Sequence, residues 1–219
     1  MPAGLFLFAG SGVMMSVNCR AKASVDNPRF HRKERWEMLS HDQLHRIGEI
    51  FEARARMQPI PVQHDGYQVP ARPSQVFELQ RKSAEHYYLL PHVPGAPVPP
   101  AHGVFFYVIL AADPGRIYCG APQGSLAGAD PRYGVQGHTS LSRRADVLYA
   151  GEIDFDQGRL VSWSNGSGHY SPPPTLREQN LIPAVARLLP AHRFIDFRTM
   201  KEEARRQRLE ARGYVGMDG

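Results

Sequence analysis

Three short polar clusters, with the sequences Gly-His-Thr-Ser, Ala-Gly-Glu and Ser-Gly-His-Tyr, lie between Gly137 and Pro172. They place two imidazoles and one carboxylate within a short stretch of chain, together with hydroxyl groups and a phenol. A carboxylate beside an imidazole is suited to proton transfer near neutral pH when both are partly removed from water. We therefore predict Glu152, His138 and His169 as the catalytic residues, with Glu152 as the first choice.

The same region supplies groups that could hold a substrate. Hydroxyls and amides form hydrogen bonds with sugar and phosphate oxygens, and a tyrosine adds a ring for stacking. The predicted substrate-binding residues are Thr139, Ser140, Ser162, Asn165, Ser167 and Tyr170. The chain has two cysteines and no metal-like ligand spacing, so no metal is predicted.

The residues around Glu152 alternate as in a β-strand that has one apolar face. From 147 to 155 the odd positions are mostly apolar and Glu152 lies on the other face. The sequence Asp-Gln-Gly at 156–158 predicts a three-residue hairpin loop. That loop pairs Gly151 with Trp163, so that the glycine makes room for the indole.

This register places Glu152 opposite Ser162. A polar turn precedes the strand, so a further strand carrying His138 and Ser140 is expected beside Glu152. A three-stranded meander would then gather the imidazole, the carboxylate and the serine. The glycines at 166 and 168 let His169 fold back over the sheet edge.

The order of these clusters resembles a module of uncharacterised bacterial open reading frames, some of them effector-like or toxin-associated. The same stretch is similar to the core of the plant IQ-motif calmodulin-binding proteins, and the likeness covers roughly residues 104–172. The resemblance implies a protein of effector or toxin type. No isoleucine-glutamine motif with spaced arginines is present, so calmodulin binding does not carry over.

The rest of the chain predicts an α+β fold, with a mainly antiparallel sheet between N-terminal and C-terminal helices. Helical spacing runs from 35 to 57, with a capping box formed by Ser40 and Gln43. A second helix is predicted over 74–88 and an amphipathic one over 175–189. The remaining predictions are a hairpin turning at 113–115, a Gly-rich loop at 122–135 and a last short strand at 194–197.

We predict three regions along the chain. Residues 1–32 form a mobile or targeting-like leader, 33–200 a single α+β domain, and 201–219 a charged helical tail. The apolar run at 5–17 is too short to cross a bilayer, so no transmembrane segment is predicted. The cysteine usage favours a cytoplasmic protein, or one secreted as an effector by a non-classical route.

Two enzymatic chemistries fit the clusters. In ADP-ribosyl transfer from NAD, Glu152 would stabilise an oxocarbenium-like centre while histidine, serine and tyrosine hold the ribose and nicotinamide. Toxin-type transferases carry Glu or Gln two positions before the catalytic Glu, where this chain has Ala150. In metal-independent RNA cleavage, Glu and His would act as base and acid, with Arg143, Arg144 and Arg159 as the nearest cations in sequence.

A non-catalytic binding module is the third hypothesis. The net charge of +5 is dispersed along the chain, which is typical of a solvated surface. The target would be a host or competitor protein, or RNA, and the oligomeric state is left open.

Overall fold

The computed structural model describes residues 39–211. The predicted leader, the apolar run at 5–17 and the end of the predicted tail lie outside these residues. Within them, eight strands occur, and they are β1 Phe77–Arg81, β2 Tyr87–Pro91, β3 Gly103–Leu110, β4 Asp113–Pro122, β5 Gly134–Val135, β6 Val147–Asp156, β7 Arg159–Ser164 and β8 Phe194–Ile195. The α-helices of the same part are α1 His41–Arg56, α2 His138–Ser142, α3 Leu176–Asn180, α4 Pro183–Ala186 and α5 Phe197–Ala211. None of these helices is long and apolar enough to cross a membrane.

The strands form one eight-stranded sheet in the order β2-β1-β4-β3-β6-β7-β8, with β5 paired to β4. All pairings are antiparallel except β4 with β5 and β7 with β8. Helices precede the sheet at α1 and follow it from α3 to α5. The predicted α+β class, with a mainly antiparallel sheet and helices at both ends, is confirmed.

One face of the sheet carries a core rich in aromatic rings, which we call the aromatic face. From Tyr149 onward the odd positions of β6 lie there, as the side-chain alternation predicted, whereas Val147 belongs to the core of the opposite face because the β3–β6 register shifts between Ile109 and Leu110. Trp163 is 1% exposed, and its ring centroid lies 6.2 Å from that of Tyr149 and 4.6 Å from that of Phe194. The indole Nε1 donates to the Pro190 carbonyl at 2.8 Å. This face therefore buries large aromatic side chains, and the indole nitrogen of Trp163 has a hydrogen-bond partner there.

The opposite face, which we call the site face, has a smaller core. Val108 and Ala150 on the strands contact the extended segment 58–72, helix α2 and Tyr170. Ile60 pairs with Val147 through two backbone hydrogen bonds of 2.7 and 3.0 Å. Other elements thus cover this face of the sheet around Val108 and Ala150.

The region predicted as a helix over 74–88 is instead the β1–β2 hairpin. Phe77 and Leu79 are buried and so are Tyr87 and Leu89, whereas Tyr88 and Leu90 are exposed. Buried and exposed side chains thus alternate with a period of two, as in a half-buried strand. This alternation is a stronger signal than the helical spacing of the few apolar residues on which the predicted helix rested. A short 3-10 turn at Pro73–Gln75 is the helical part of this segment.

The β3–β4 hairpin forms as predicted but turns earlier. Leu110 pairs with Asp113, so the loop is the Ala111–Ala112 dipeptide, and the predicted Asp-Pro-Gly turn lies inside β4. Pro114 is tolerated there because β4 pairs with β3 only at Asp113 and from Tyr118 onward.

The β6–β7 register also differs from the predicted one. The loop has two residues, Gln157 and Gly158, with φ of 46° and 82°, as in the hairpin turns that need two left-handed residues. Asp156 therefore pairs with Arg159, and the register of the two strands shifts between Asp154 and Phe155. Ser162 lies opposite Asp154 rather than Glu152.

Gly151 does not face Trp163, which pairs with Ile153. A Cβ at Gly151 would collide with the Ser164 carbonyl, so the glycine allows close approach of two backbones rather than space for the indole.

The predicted strand carrying His138 and Ser140 is instead helix α2, and all five of its residues are buried. The neighbours of β6 are β3 and β7, so the predicted meander is wrong. The glycine before His138 and the left-handed Arg143 after Ser142, with φ of 52°, bound a single helical turn.

The remaining elements follow the predictions more closely. The capping box at Ser40 starts α1, and β8 occupies the first half of the predicted last strand. The Gly-rich region after Pro122 is a loop up to the two residues of β5. The predicted helix over 175–189 is divided into α3 and α4, because Pro183 cannot continue a helix and begins a new one.

Candidate functional site

A cavity of about 430 Å³ opens on the site face where β6, α2, the 165–172 loop and α5 meet. We call it the site cavity. All three predicted catalytic residues, Glu152, His138 and His169, line it, and so do Asn165 and Ser167. The fold thus brings together side chains from the three polar clusters, although through a helix and a loop rather than through a meander.

Glu152 projects from β6 beside Phe106 of β3, its register partner. The carboxylate is partly buried, and it has no hydrogen-bond or ion-pair partner among residues 39–211. Burial raises its pKa above the ordinary range, and the charge of Lys201 acts in the opposite direction. A carboxylate that is desolvated and free of internal bonds is available to a ligand.

His138 begins helix α2 and is 4% exposed. Its Nε2 lies 2.8 Å from the Gly151 carbonyl, which can only accept, so Nε2 carries the proton. Its ring centroid lies 4.7 Å from that of Phe106. Burial lowers the pKa of His138 to about 4, against a raising effect of the Gly151 hydrogen bond. His138 is therefore a neutral imidazole at pH 7 with Nδ1 as an acceptor.

His169 lies on the 165–172 loop and is partly exposed. Its carbonyl accepts from the Gln63 backbone at 2.8 Å, which holds the loop to the 58–72 segment. A Cβ on Gly66 would lie 2.8 Å from the His169 Nε2, so the imidazole packs directly over this glycine. The predicted fold-back of the loop is present, and it is the 58–72 segment that fixes it.

Helix α5 adds two cations that were not predicted as site residues, Arg198 near the end of the predicted domain and Lys201 at the start of the predicted charged tail. Arg198 and Lys201 are one turn apart and both line the site cavity. The Lys201 Nζ lies 4.5 Å from the centroid of the Phe197 ring, and an Arg198 Nη donates to the Ser171 carbonyl at 3.5 Å. Two cationic side chains therefore line the same cavity as the Glu152 carboxylate.

Asn165 lines the site cavity and is bonded to the start of that helix. Its Oδ1 accepts from the Phe197 backbone at 2.8 Å, and its Nδ2 donates to Asp196 at 3.1 Å and to the Pro172 carbonyl at 3.0 Å. The amide is 4% exposed and its bonding capacity is largely used within the fold. The Asn165 side chain thus links the end of β7 to the start of α5, and its contact with a substrate stays a prediction.

Two other predicted binding residues are also engaged in the fold. The Tyr170 hydroxyl, on a side chain with no exposure, donates to the Ala145 carbonyl at 2.7 Å and contacts the Ser142 Oγ at 2.6 Å. Thr139 bonds to Gln68 through both its Oγ1, at 2.6 Å, and its backbone nitrogen, at 3.1 Å. Tyr170 is therefore bonded within the fold, and it is not among the residues that line the cavity.

The last three hydroxyl residues differ among themselves. Ser167 lines the cavity and its Oγ accepts from the Tyr170 backbone at 3.4 Å. Ser140 is fully buried in α2, and its Oγ has no hydrogen-bond partner in the described part of the chain. Ser162 and Ser140 are not among the residues that line the cavity.

Sequence reasoning missed Gln68, Phe106, Phe197, Arg198 and Lys201, which also line the cavity. Phe106 has a sequence signal, because it is an even position of β3 and even positions of β6 share its face. Arg198 and Lys201 have the spacing of residues on one helical face. However, no feature of the neighbouring sequence indicates that α5 begins beside β7. The three arginines considered earlier lie elsewhere, and Arg144, for example, bonds to Asp65.

Among residues 39–211, no group of three or more His, Cys, Asp and Glu side chains is arranged to hold a metal ion. No family model, curated protein or solved structure matches this chain.

Proposed function

We propose that the site cavity binds NAD and that the protein transfers ADP-ribose from it to an acceptor. The observation that carries this proposal is the partly buried Glu152 carboxylate, which has no hydrogen-bond or ion-pair partner in the described region and lines one cavity together with two cations. A site with one free carboxylate and separate cations suits a substrate that has an anionic part and develops a positive charge elsewhere.

Glu152 would act on the positive part. As the bond between C1′ of the ribose and the nicotinamide nitrogen breaks, the electron pair leaves with neutral nicotinamide and positive charge develops on the sugar. A carboxylate held near that carbon stabilises the charge. An acceptor oxygen or nitrogen then forms the new bond to C1′, and its proton passes to Glu152 or to water. The raised pKa of Glu152 suits this proton transfer.

The cations would hold the anionic part. Arg198 and Lys201 provide donors for the pyrophosphate oxygens. Phe106 supplies an apolar wall next to the carboxylate, and the neutral His138 presents Nδ1 as an acceptor beside that wall. A cavity of about 430 Å³ lies within the size range of small-molecule sites.

Metal-independent RNA cleavage is the second candidate, and the two cations on α5 are the observation that favours it. They supply the phosphate contacts that a nuclease needs. The general acid would have to be His169, because His138 is neutral above pH 4 and its proton is bonded to Gly151. ADP-ribosyl transfer needs no protonated imidazole, since nicotinamide leaves as a neutral molecule, and we favour it for that reason.

Nicotinamide release from NAD tests the proposal. We expect release by the wild-type protein and a loss of about a hundredfold or more in Glu152→Gln, as for removal of a group that stabilises charge in the transition state. The matched control is Glu203→Gln, an exposed position of α5 that does not line the cavity.

Two results would refute the proposal. One is the absence of nicotinamide release by folded wild-type protein with protein, RNA or water as acceptor. The other is equal release by the wild type and Glu152→Gln. Degradation of an RNA oligomer in the presence of a chelator, abolished by His169→Ala, would establish the second candidate instead.

A further inference from the structure

A second cavity, of about 330 Å³, lies at the far end of β7 from the 165–172 loop. It is bounded by the end of the β1–β2 hairpin, the start of β7 and the 3-10 turn Ala191–Arg193. Three arginines and a histidine line it, namely Arg81, Arg159, Arg193 and His192. We call it the arginine cavity. Glu85 is the carboxylate among its lining residues.

The fold holds two of the three guanidinium groups in place. Arg81 donates to the Arg187 carbonyl at 2.8 Å and lies 6.0 Å from the centroid of the Tyr87 ring. Arg193 reaches the Val161 carbonyl at 3.5 Å. A backbone bond of 2.7 Å from Tyr87 to the Gly158 carbonyl brings the two hairpins together at this point. Connected elements of the fold therefore form the cavity, and the side chains of Arg159, His192 and Arg193 are exposed in it.

Ion pairing marks a difference between this cavity and four arginines elsewhere on the described surface. Those four have nearby carboxylates as partners, in the pairs Arg116–Glu78, Arg132–Asp130, Arg144–Asp65 and Arg177–Glu178. Within residues 39–211, neither Arg81, Arg159 nor Arg193 forms an ion pair, and Glu85 pairs with none of them. Three positive charges lining one cavity repel each other, and a bound anion would relieve that repulsion.

We propose that the arginine cavity is a binding site for a phosphate or pyrophosphate group. Guanidinium groups match phosphate oxygens through paired donors, and they stay charged at any physiological pH. Tyr87 is 3% exposed, so its ring cannot stack with a base, and recognition is directed to the phosphate. The site does not depend on NAD chemistry, because none of its lining residues lines the site cavity.

The test uses inorganic pyrophosphate and the ring resonances of His192 in labelled protein, assigned with a His192→Gln variant. His192 reports the arginine cavity, and His169 reports the site cavity in the same spectrum. We expect a saturable shift of the His192 resonance. Arg159→Gln should weaken this response about tenfold, as for loss of one charge-assisted hydrogen bond. Arg193→Gln should act in the same direction.

Arg132→Gln, an arginine paired outside the cavity, and Lys201→Ala, in the other cavity, should leave the His192 response unchanged. Titrations with ADP and with a short single-stranded RNA separate the sources of the phosphate group. A tighter response to ADP assigns a nucleotide, and a tighter, strongly salt-dependent response to RNA assigns a nucleic-acid backbone. A His192 resonance unmoved by millimolar pyrophosphate, or a shift that Arg159→Gln leaves intact, would overturn the proposal.

Discussion

The two faces of the sheet are built in different ways. The aromatic face is filled by large rings in mutual contact, with Trp163 between Tyr107, Tyr149 and Phe194. The site face has small apolar groups such as Ala150, and its cover is held by hydrogen bonds from buried polar side chains. The comparison indicates that apolar burial on one face stabilises a fold whose other face can tolerate a buried imidazole and a partly desolvated carboxylate.

Trp163→Ala should have the largest effect on stability. We expect a loss of about 3–5 kcal/mol in the free energy of unfolding, because a large ring is removed from a packed core and its cavity remains. Guanidinium unfolding followed by circular dichroism measures it. Trp163→Phe should lose less, and Val161→Ala, at an exposed position of the same strand, should lose little. Equal losses at 161 and 163 would contradict the role of the buried aromatic rings in stabilising the aromatic face.

His138 should make stability depend on pH. Burial lowers its pKa to about 4 in the folded protein, whereas the unfolded chain binds the proton near the ordinary value of about 6.5. The unfolded state therefore takes up a proton first, and stability falls as pH drops from about 6.5 to 4, by up to about 3 kcal/mol.

Urea unfolding at several pH values measures this dependence. In His138→Gln the side chain can still donate to the Gly151 carbonyl but does not titrate. The slope between pH 6.5 and 4 should therefore be smaller in the variant. An unchanged slope would show that other groups cause it.

Tyr170→Phe tests the polar support of the site face. It removes the hydroxyl that joins Ala145 and Ser142, and leaves the Ser142 Oγ without this partner. We expect a loss of about 2 kcal/mol in the free energy of unfolding. Tyr133→Phe is the matched control, because no hydrogen bond of its hydroxyl is present among the described residues. Similar losses at both positions would argue against a specific role of the hydroxyl.

Glu152→Gln should have the smallest effect on stability, and it should increase the free energy of unfolding where the other substitutions decrease it. Burial raises the pKa of Glu152, so ionisation favours the unfolded state and stability falls as pH rises through the folded pKa. At pH 7 the Gln variant should therefore be slightly more stable than the wild type, in thermal unfolding. Glu203→Gln should show no such gain. A destabilised Glu152→Gln would show that the carboxylate serves the fold rather than a ligand.

The same contrast explains what the sequence could predict. Alternation of apolar residues predicted β6, β7 and the face that carries Glu152, because a half-buried strand imposes that pattern. The apolar pattern gave the wrong element at 74–88, where a few apolar residues fitted both the helical period and the strand period. Turn residues predicted the presence of hairpins. The residues at 156–158 did not distinguish a two-residue loop from a three-residue loop. Because the loop length sets the strand register, the predicted pairing of β6 with β7 was wrong.

The site was predictable only in part, for a physical reason. Glu152, His138 and His169 stood out by residue type. Their neighbours on the cavity wall come from segments far apart in sequence, and long-range contacts decide where Gln68 and Lys201 lie. Asn165 and Tyr170 were predicted as ligand contacts, whereas their hydrogen bonds are used within the fold.

Calorimetric titration of NAD into the wild type, Lys201→Ala and Glu203→Gln tests the proposed role of the site cavity. We expect saturable binding to one site, weakened about tenfold in Lys201→Ala by loss of a charge-assisted contact and unchanged in Glu203→Gln. No binding to the folded wild type, or equal binding to Lys201→Ala, would contradict the claim that the site cavity receives NAD.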